Sequence, residues 1–219
     1  NQTTMSMLFK CPPGAYLGGI VPTTCPIKWD QTQKLVFGRK FADRFANAGA
    51  FISQMAWYSL LNITVNDSRL VITPYVSGLT IPATTVLTKG GNDNTTIDGV
   101  PEVNGIGFAT VKFQLKNISA ETADELRLLG TETMIQPGVS NVVAYFLQTS
   151  DAIVWNKTAT GDKYDGFEIF NLVVTDIGNE GLNTNTMYDV QFDMKGGWSQ
   201  YWGYQVLPFN PRDMSNPAS

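Results

Sequence analysis

The sequence predicts a mostly β protein: an antiparallel sandwich, jelly-roll-like or β-barrel domain with one or two short helices inserted in connections. Three observations point there. Apolar and polar residues alternate along several short runs, the period of half-buried strands. Gly, Pro, Asn and Asp punctuate the chain about every 8–15 residues, the spacing of strands joined by turns. No βαβ alternation and no internal repeat occur in the 219 residues. The expected division is an extended N-terminal arm over residues 1–36, one β-rich domain over 37–209, and a C-terminal tail over 210–219.

The arm is predicted by Pro12, Pro13, Pro22 and Pro26 with Gly14, Gly18 and Gly19, which prevent helix and interrupt central strands. It also carries Met5, Met7, Leu8, Phe9, Tyr16, Leu17, Ile20 and Val21. A disordered tail is poorer in such residues, so they need a surface to bury against, in their own domain or on a neighbour. Phe41, Phe45, Ala48, Ile52 and Met55 recur at helical spacing over residues 39–54, with Gly49 expected to end the helix. Trp57, Ser59, Leu61, Ile63 and Val65 alternate, predicting a strand.

Residues 69–75 form a second short predicted strand, stopped at Pro74. Residues 77–107 read as a long polar loop region with a strand near residues 84–87; loops of that length in a compact domain are functional or interfacial more often than idle. Residues 110–116 give the clearest strand, with Val111, Phe113 and Leu115 on one side. The clearest helix follows. Ser119 is its N-cap, Glu121 complements the dipole, Ala123, Leu126 and Leu129 line one face, and Gly130 stands at the expected C-terminal left-handed position.

Strands are predicted at residues 142–147 and 152–155, separated by a hairpin-like break. Residues 167–175, apolar on both faces except Glu168 and Asn171, read as a central strand. Residues 187–194 alternate again, with Tyr188, Val190, Phe192 and Met194 on one face. The segment Trp198-Ser-Gln-Tyr201-Trp202-Gly-Tyr204 closes the domain; in extended form Trp198, Gln200, Trp202 and Tyr204 would share a face. Aromatic rings beside amides grip sugar rings and dominate interfaces, so Trp198, Tyr201, Trp202 and Tyr204 are candidate interface or sugar-binding residues. The same rings can equally fill the domain's own core.

Composition narrows the chemistry. The chain has no histidine. That removes Ser-His-Asp and Cys-His nucleophiles and every His-based metal site. Charged residues make up only 16 %, below the usual quarter, and Asn, Thr, Gln, Ser and Gly supply the polarity. The formal net charge is −4 and no Lys/Arg run exists, so the footprint of a nucleic-acid binder is missing. The densest basic stretch, Lys34 with Arg39, Lys40 and Arg44, reads as the polar side of an ordinary element. No apolar run is long enough for a membrane-spanning helix. The chain opens on Asn1 and shows no signal-peptide pattern, the expectation for a processed or trimmed product.

Cys11 and Cys25 are the only cysteines. They are a candidate disulfide closing a Pro/Gly-rich loop, or two unpaired thiols; two ligands cannot close a zinc site. Sequons at Asn62, Asn66, Asn94, Asn117 and Asn156, with one at Asn1, are candidate N-glycosylation sites or a by-product of Asn/Thr-rich composition. Carboxylates are the remaining acid/base option. Glu168 sits among Phe167, Ile169 and Phe170, while Asp189 and Asp193 lie about 13 Å apart along one strand, too far to form a glycosidase pair by themselves. The acidic loops holding Asp93, Asp98, Asp162 and Asp165 have calcium-loop composition without EF-hand register.

No catalytic kit, metal site or cofactor motif emerges. The expected function is a non-enzymatic structural subunit of a repeating assembly, a virion protein such as a capsid, tail-tube or decoration protein. Its expected partners are copies of itself and other structural proteins of the assembly, contacted through the N-terminal arm and loops. The alternatives are a secreted carbohydrate-binding module or extracellular filament subunit, with glycan as ligand, and a carboxylate-based glycan-active enzyme on the same scaffold.

Overall fold

The computed structural model describes residues 29–40, 44–63, 67–91, 95–134, 140–157, 164–178 and 186–216. The fold is an antiparallel β sandwich, as the alternation predicts, and the described strands do not close into a barrel. In chain order the elements are β1 (Thr32–Arg39), α1 (Ala48–Phe51), α2 (Gln54–Asn62), β2 (Leu70–Ile72), β3 (Val76–Thr80), β4 (Val86–Lys89), β5 (Glu102–Ile106), β6 (Ala109–Lys116), α3 (Ala120–Glu132), β7 (Val142–Gln148), β8 (Ala152–Lys157), β9 (Tyr164–Asp165), β10 (Phe167–Val174), β11 (Met187–Met194) and β12 (Trp202–Val206).

One sheet runs β2-β1-β7-β8-β12 and the other β10-β11-β6-β3. The segment of β9 and β10 joins them. Asp165 pairs with Asn156 of β8, Phe167 with Ala144 of β7, and Ile169 with Met194 of β11. A bulge between Phe170 and Val173 bends the strand across, with Asn171 in the left-handed region at φ 52°. Asp193 holds that bend: its carboxylate accepts from Asn171 Nδ2 at 2.9 Å and from Thr110 Oγ1 at 2.6 Å.

β7 is buried along its whole length because it has a core on each face. Val142, Ala144 and Phe146 face the inter-sheet core with Leu35, Phe37, Phe113, Ile169 and Phe192. Val143, Tyr145 and Leu147 face a second core, roofed by Phe51, Trp57 and Leu61 of the two short helices and by Met214. β10, the strand expected to be central, pairs with β7 through Phe167 and Glu168 and with β11 further along, yet its second half exposes Asn171 and Val173.

Several expectations are corrected. Residues 57–65 are not a strand: α2 covers Gln54–Asn62. Trp57 and Leu61, four apart, both point into the second core, whereas Ser59 between them is exposed. Among its described residues, the apolar run over residues 39–54 gives the one-turn α1, capped by Asn47, whose side chain accepts from Ala50 N. Residues 32–36, grouped above with the arm, are the first half of β1, with Leu35 and Val36 fully buried. Gly130 is not a left-handed cap, because α3 continues to Glu132; a Cβ at this position would overlap the Leu172 carbonyl, so glycine lets the helix lie directly on β10. Ser119 does cap α3, its Oγ accepting from Thr122 N at 3.2 Å.

Residues 210–216, read above as a tail, dock on the first sheet. The Lys34 ammonium donates to the carbonyls of Arg212 at 2.6 Å and Met214 at 3.1 Å. The Asn216 amide imitates a strand neighbour at β2, accepting from Ile72 N at 2.9 Å and donating to Ile72 O at 2.8 Å.

Candidate functional site

The stretch read above as a polar loop region with a strand near residues 84–87 contains a ribbon. β4 and β5 pair with each other and with no other described strand. The ribbon springs from the start of β6, where Gly107 N donates to Thr85 O at 2.8 Å and closes its base. Gly196 lies beneath, so close that a Cβ would overlap the carbonyls of Ile106 and Gly107.

Register gives the ribbon two unlike faces. Val86 pairs with Ile106 and Thr88 with Val103, placing three apolar side chains on one face; Lys89 pairs with Glu102 on the other. Between them Asn104 is extra, and Gly105 supplies the φ of +146° that this bulge needs. Val86, Leu87, Val103 and Ile106 are all exposed, Val103 to 71 %, and so is Ile97 near the tip, to 82 %. An isolated two-stranded ribbon is marginal in water. A contiguous exposed apolar face marks an interaction site. The strand read near residues 84–87 overlaps β4, whereas β5 was not read, because a ribbon with no core beneath it has no buried face to imprint a pattern.

The aromatic segment is arranged differently from an extended platform. Residues Trp198–Tyr201 form a 3₁₀ turn, and β12 begins at Trp202. Trp29 covers both tryptophans, with ring centroids 5.9 Å from Trp198 and 5.5 Å from Trp202. Trp198 also meets Phe167 edge-on at 5.6 Å. The Tyr204 hydroxyl hydrogen-bonds Ser150 Oγ at 3.0 Å, and Tyr201 alone of the four is exposed.

Several of the charged candidates are engaged within the fold. Glu168 forms an ion pair with Lys40. Arg39 bridges Asp67 at 2.7 Å and Glu132 at 2.8 Å. The almost wholly buried Arg44 side chain reaches Asp165 at 3.5 Å and the Tyr145 hydroxyl at 3.3 Å. Burial pushes both the Tyr145 phenol and the Asp165 carboxyl up from their ordinary values, with Arg44 opposing the shift in each case. With Lys34 holding the C-terminal stretch, every member of the basic stretch has a partner inside the domain.

Among the described residues no group of three or more Cys, Asp or Glu side chains converges as a metal site. No described helix is long and apolar enough to cross a membrane. Asn62 ends α2 and is exposed, Asn117 follows β6 at φ 53° and is exposed, and Asn156 lies half-buried on β8 between Trp202 and Asp165. Cys11, Cys25, Asn1, Asn66, Asn94, Asp93 and Asp162 lie outside the described residues.

A second surface feature is a cleft of about 670 Å³ between β2 and α3. Phe37, Val71, Leu126 and Leu129 supply its apolar lining, and Arg69, Glu121 and Glu125 are among its polar residues. The ribbon leaves the second sheet where β6 begins, at Ala109, and α3 starts just past the other end of β6. Eight residues of strand, roughly 26 Å, separate those two points.

No family model matches the chain, and no curated protein matches it. Among solved structures, one similar chain is described as the tail of an empty GTA particle computed with helical refinement in C6 symmetry. The two are 13 % identical, the match covers 56 % of this chain and 78 % of that one, and the TM-score is 0.29.

Proposed function

We propose that this chain is a structural subunit of a repeating assembly, in the class of virion proteins such as capsid, tail-tube or decoration proteins. The observation that carries the reading is the β4–β5 ribbon. Its apolar face is built by register, stands outside both cores and has no described partner in its own domain. Each Val or Ile taken from water onto a neighbour contributes about 1.5–3 kcal/mol when fully buried. A few such residues per contact, repeated around a symmetric particle, hold subunits together. The low charge and the amide-rich surface suit dense packing against like copies.

The test is the assembly state of the purified chain, by light scattering and negative-stain imaging, beside the double variant Val103→Asp/Ile106→Asp. The expected result is rings, tubes or shells from the parent chain and a folded monomer from the variant. A parent chain that stays monomeric at high concentration overturns the reading, as does a variant that assembles normally.

A further inference from the structure

We infer that the β4–β5 ribbon of one copy lies in the cleft between β2 and α3 of the next copy, a head-to-tail contact; this rests on the self-associating function proposed above. The lining of the cleft is apolar at Val71, Leu126 and Leu129, and Leu128 stands 68 % exposed at its lip. Its two sides differ in charge. Glu121, in the first turn of α3, and Glu125, one turn later, are exposed on one side. Half-buried Arg69, just before β2, stands on the other.

The ribbon carries the matching pattern. One face presents Val86, Val103 and Ile106, all exposed. Away from the root, Lys89 on β4 stands opposite Glu102 on β5, both exposed, so one edge of the ribbon is basic and the other acidic. Laid with its apolar face on the cleft lining, β4 along α3 and β5 along β2, the ribbon brings Lys89 to Glu121 and Glu125, and Glu102 to Arg69. Both charged side chains start at the edges of the opposite face and reach over them to the walls, the lysine stem lying along apolar surface. Turned end for end across the cleft, the same ribbon would set like charges against like, so charge selects one orientation. None of these five charged side chains forms an ion pair with another described residue.

The contact joins two copies. Ribbon and cleft lie at opposite ends of β6, eight residues of strand or roughly 26 Å apart. The Gly107–Thr85 bond and the close packing of Gly196 on the Ile106 and Gly107 carbonyls hold the root of the ribbon at the start of β6. No ribbon residue lines the cleft of its own chain. A patch at one end of a subunit that fits a different patch at the other end makes a heterologous contact, which repeats from copy to copy into a ring or a filament.

The experiment mixes two association-deficient full chains and reads them by light scattering. One carries Val103→Asp with Ile106→Asp and keeps its cleft; the other carries Glu121→Lys with Glu125→Lys and keeps its ribbon. The expected result is that each alone is monomeric and the mixture gives a one-to-one dimer that grows no further. A ribbon that met only another ribbon would give no such dimer. Charge reversal supplies the second measurement. Lys89→Glu alone should raise the concentration needed for assembly about tenfold, and adding it to the Glu121→Lys/Glu125→Lys chain should restore assembly. All five substituted residues are exposed, so the fold tolerates the changes. Absence of the mixed dimer, or a reversed-glutamate chain that assembles like the parent, overturns the inference. The two ideas fail separately: when parent and reversed-glutamate chains assemble equally well, the assembly function stands and only this docking site falls, whereas a parent chain that stays monomeric removes both.

Discussion

The Lys34 ammonium donates to the Met214 carbonyl at 3.1 Å, joining residues 180 positions apart. With the second bond to Arg212 O, it fixes the C-terminal stretch over the core formed by Leu147, Ile153 and Trp155. Lys34→Met keeps the aliphatic bulk and removes both donors. Leaving two carbonyls short of a partner should lower the unfolding free energy by about 1–3 kcal/mol, measured by urea denaturation. Burial lowers the Lys34 pKa from its ordinary value, against an opposing pull from Asp213. Between that lowered value and 10.5 the unfolded chain binds more protons, so this group's contribution to stability rises as pH climbs through the window. The difference in stability between parent and Lys34→Met should therefore widen toward pH 10.5.

Gly130→Ala tests the contact between α3 and β10. In an isolated helix the change is favourable by about 1 kcal/mol. Here the new methyl would overlap the Leu172 carbonyl, and backbone cannot swing aside as a side chain can. The expected outcome is net destabilisation of about 1–3 kcal/mol, the range of overpacked cores, seen as a lower urea midpoint at unchanged m-value.

Asp165 predicts a pH signature at the junction of the two sheets. Desolvation raises its carboxyl pKa, while Arg44 and the Gly166 N–H pull it down less strongly. An acid raised in the fold binds more protons than the unfolded chain between 3.8 and its folded value, so its contribution to stability falls as pH rises through that window. Asp165→Asn removes the titration. The stability of the parent minus that of the variant should decline as pH is raised from 3.8, read from urea midpoints across the acid range. A constant difference would count against the buried Arg44–Asp165 arrangement.

Much of this fold was legible because burial on one face imprints a period. β6 and β11 alternate cleanly, and their registered pairing from Ala109–Met194 to Lys116–Met187 follows that pattern. β7 was found by its apolar run, but only a second core explains why both of its faces are apolar. α2 was misread because Trp57 and Leu61, four apart, fit period two as well as a helical period; exposed Gln54, Met55 and Ser59 decide the matter, and their exposure is a tertiary fact. Of the ribbon, β4 overlaps the strand read near residues 84–87, but β5 was not read, because no core lies beneath it to imprint a period. Among the candidate residues, Trp198 and Trp202 were singled out as interface or sugar-binding groups that could equally fill the core; they pack on Trp29, more than 160 residues away, a partner to which sequence spacing gives no clue.

Trp29→Ala tests that partnership and, through it, the carbohydrate alternative. Trp29 fills the gap between Phe146, Trp198 and Trp202. Removing it should cost about 3 kcal/mol, the lower end for tryptophan truncation, and shift the remaining indole emission to the red as Trp198 and Trp202 meet water. Trp202→Ala should lower stability likewise, because its ring packs against the inter-sheet core. Tyr201→Ala, at a half-exposed ring, should stay within about 0.5 kcal/mol of the parent. A sugar platform would behave in the reverse way: truncating Trp202 would cut retention on a polysaccharide column and leave the urea midpoint unmoved. The stability ranking Trp29→Ala and Trp202→Ala well below Tyr201→Ala, with polysaccharide retention absent throughout, is the outcome expected of rings that close a sandwich rather than bind a glycan.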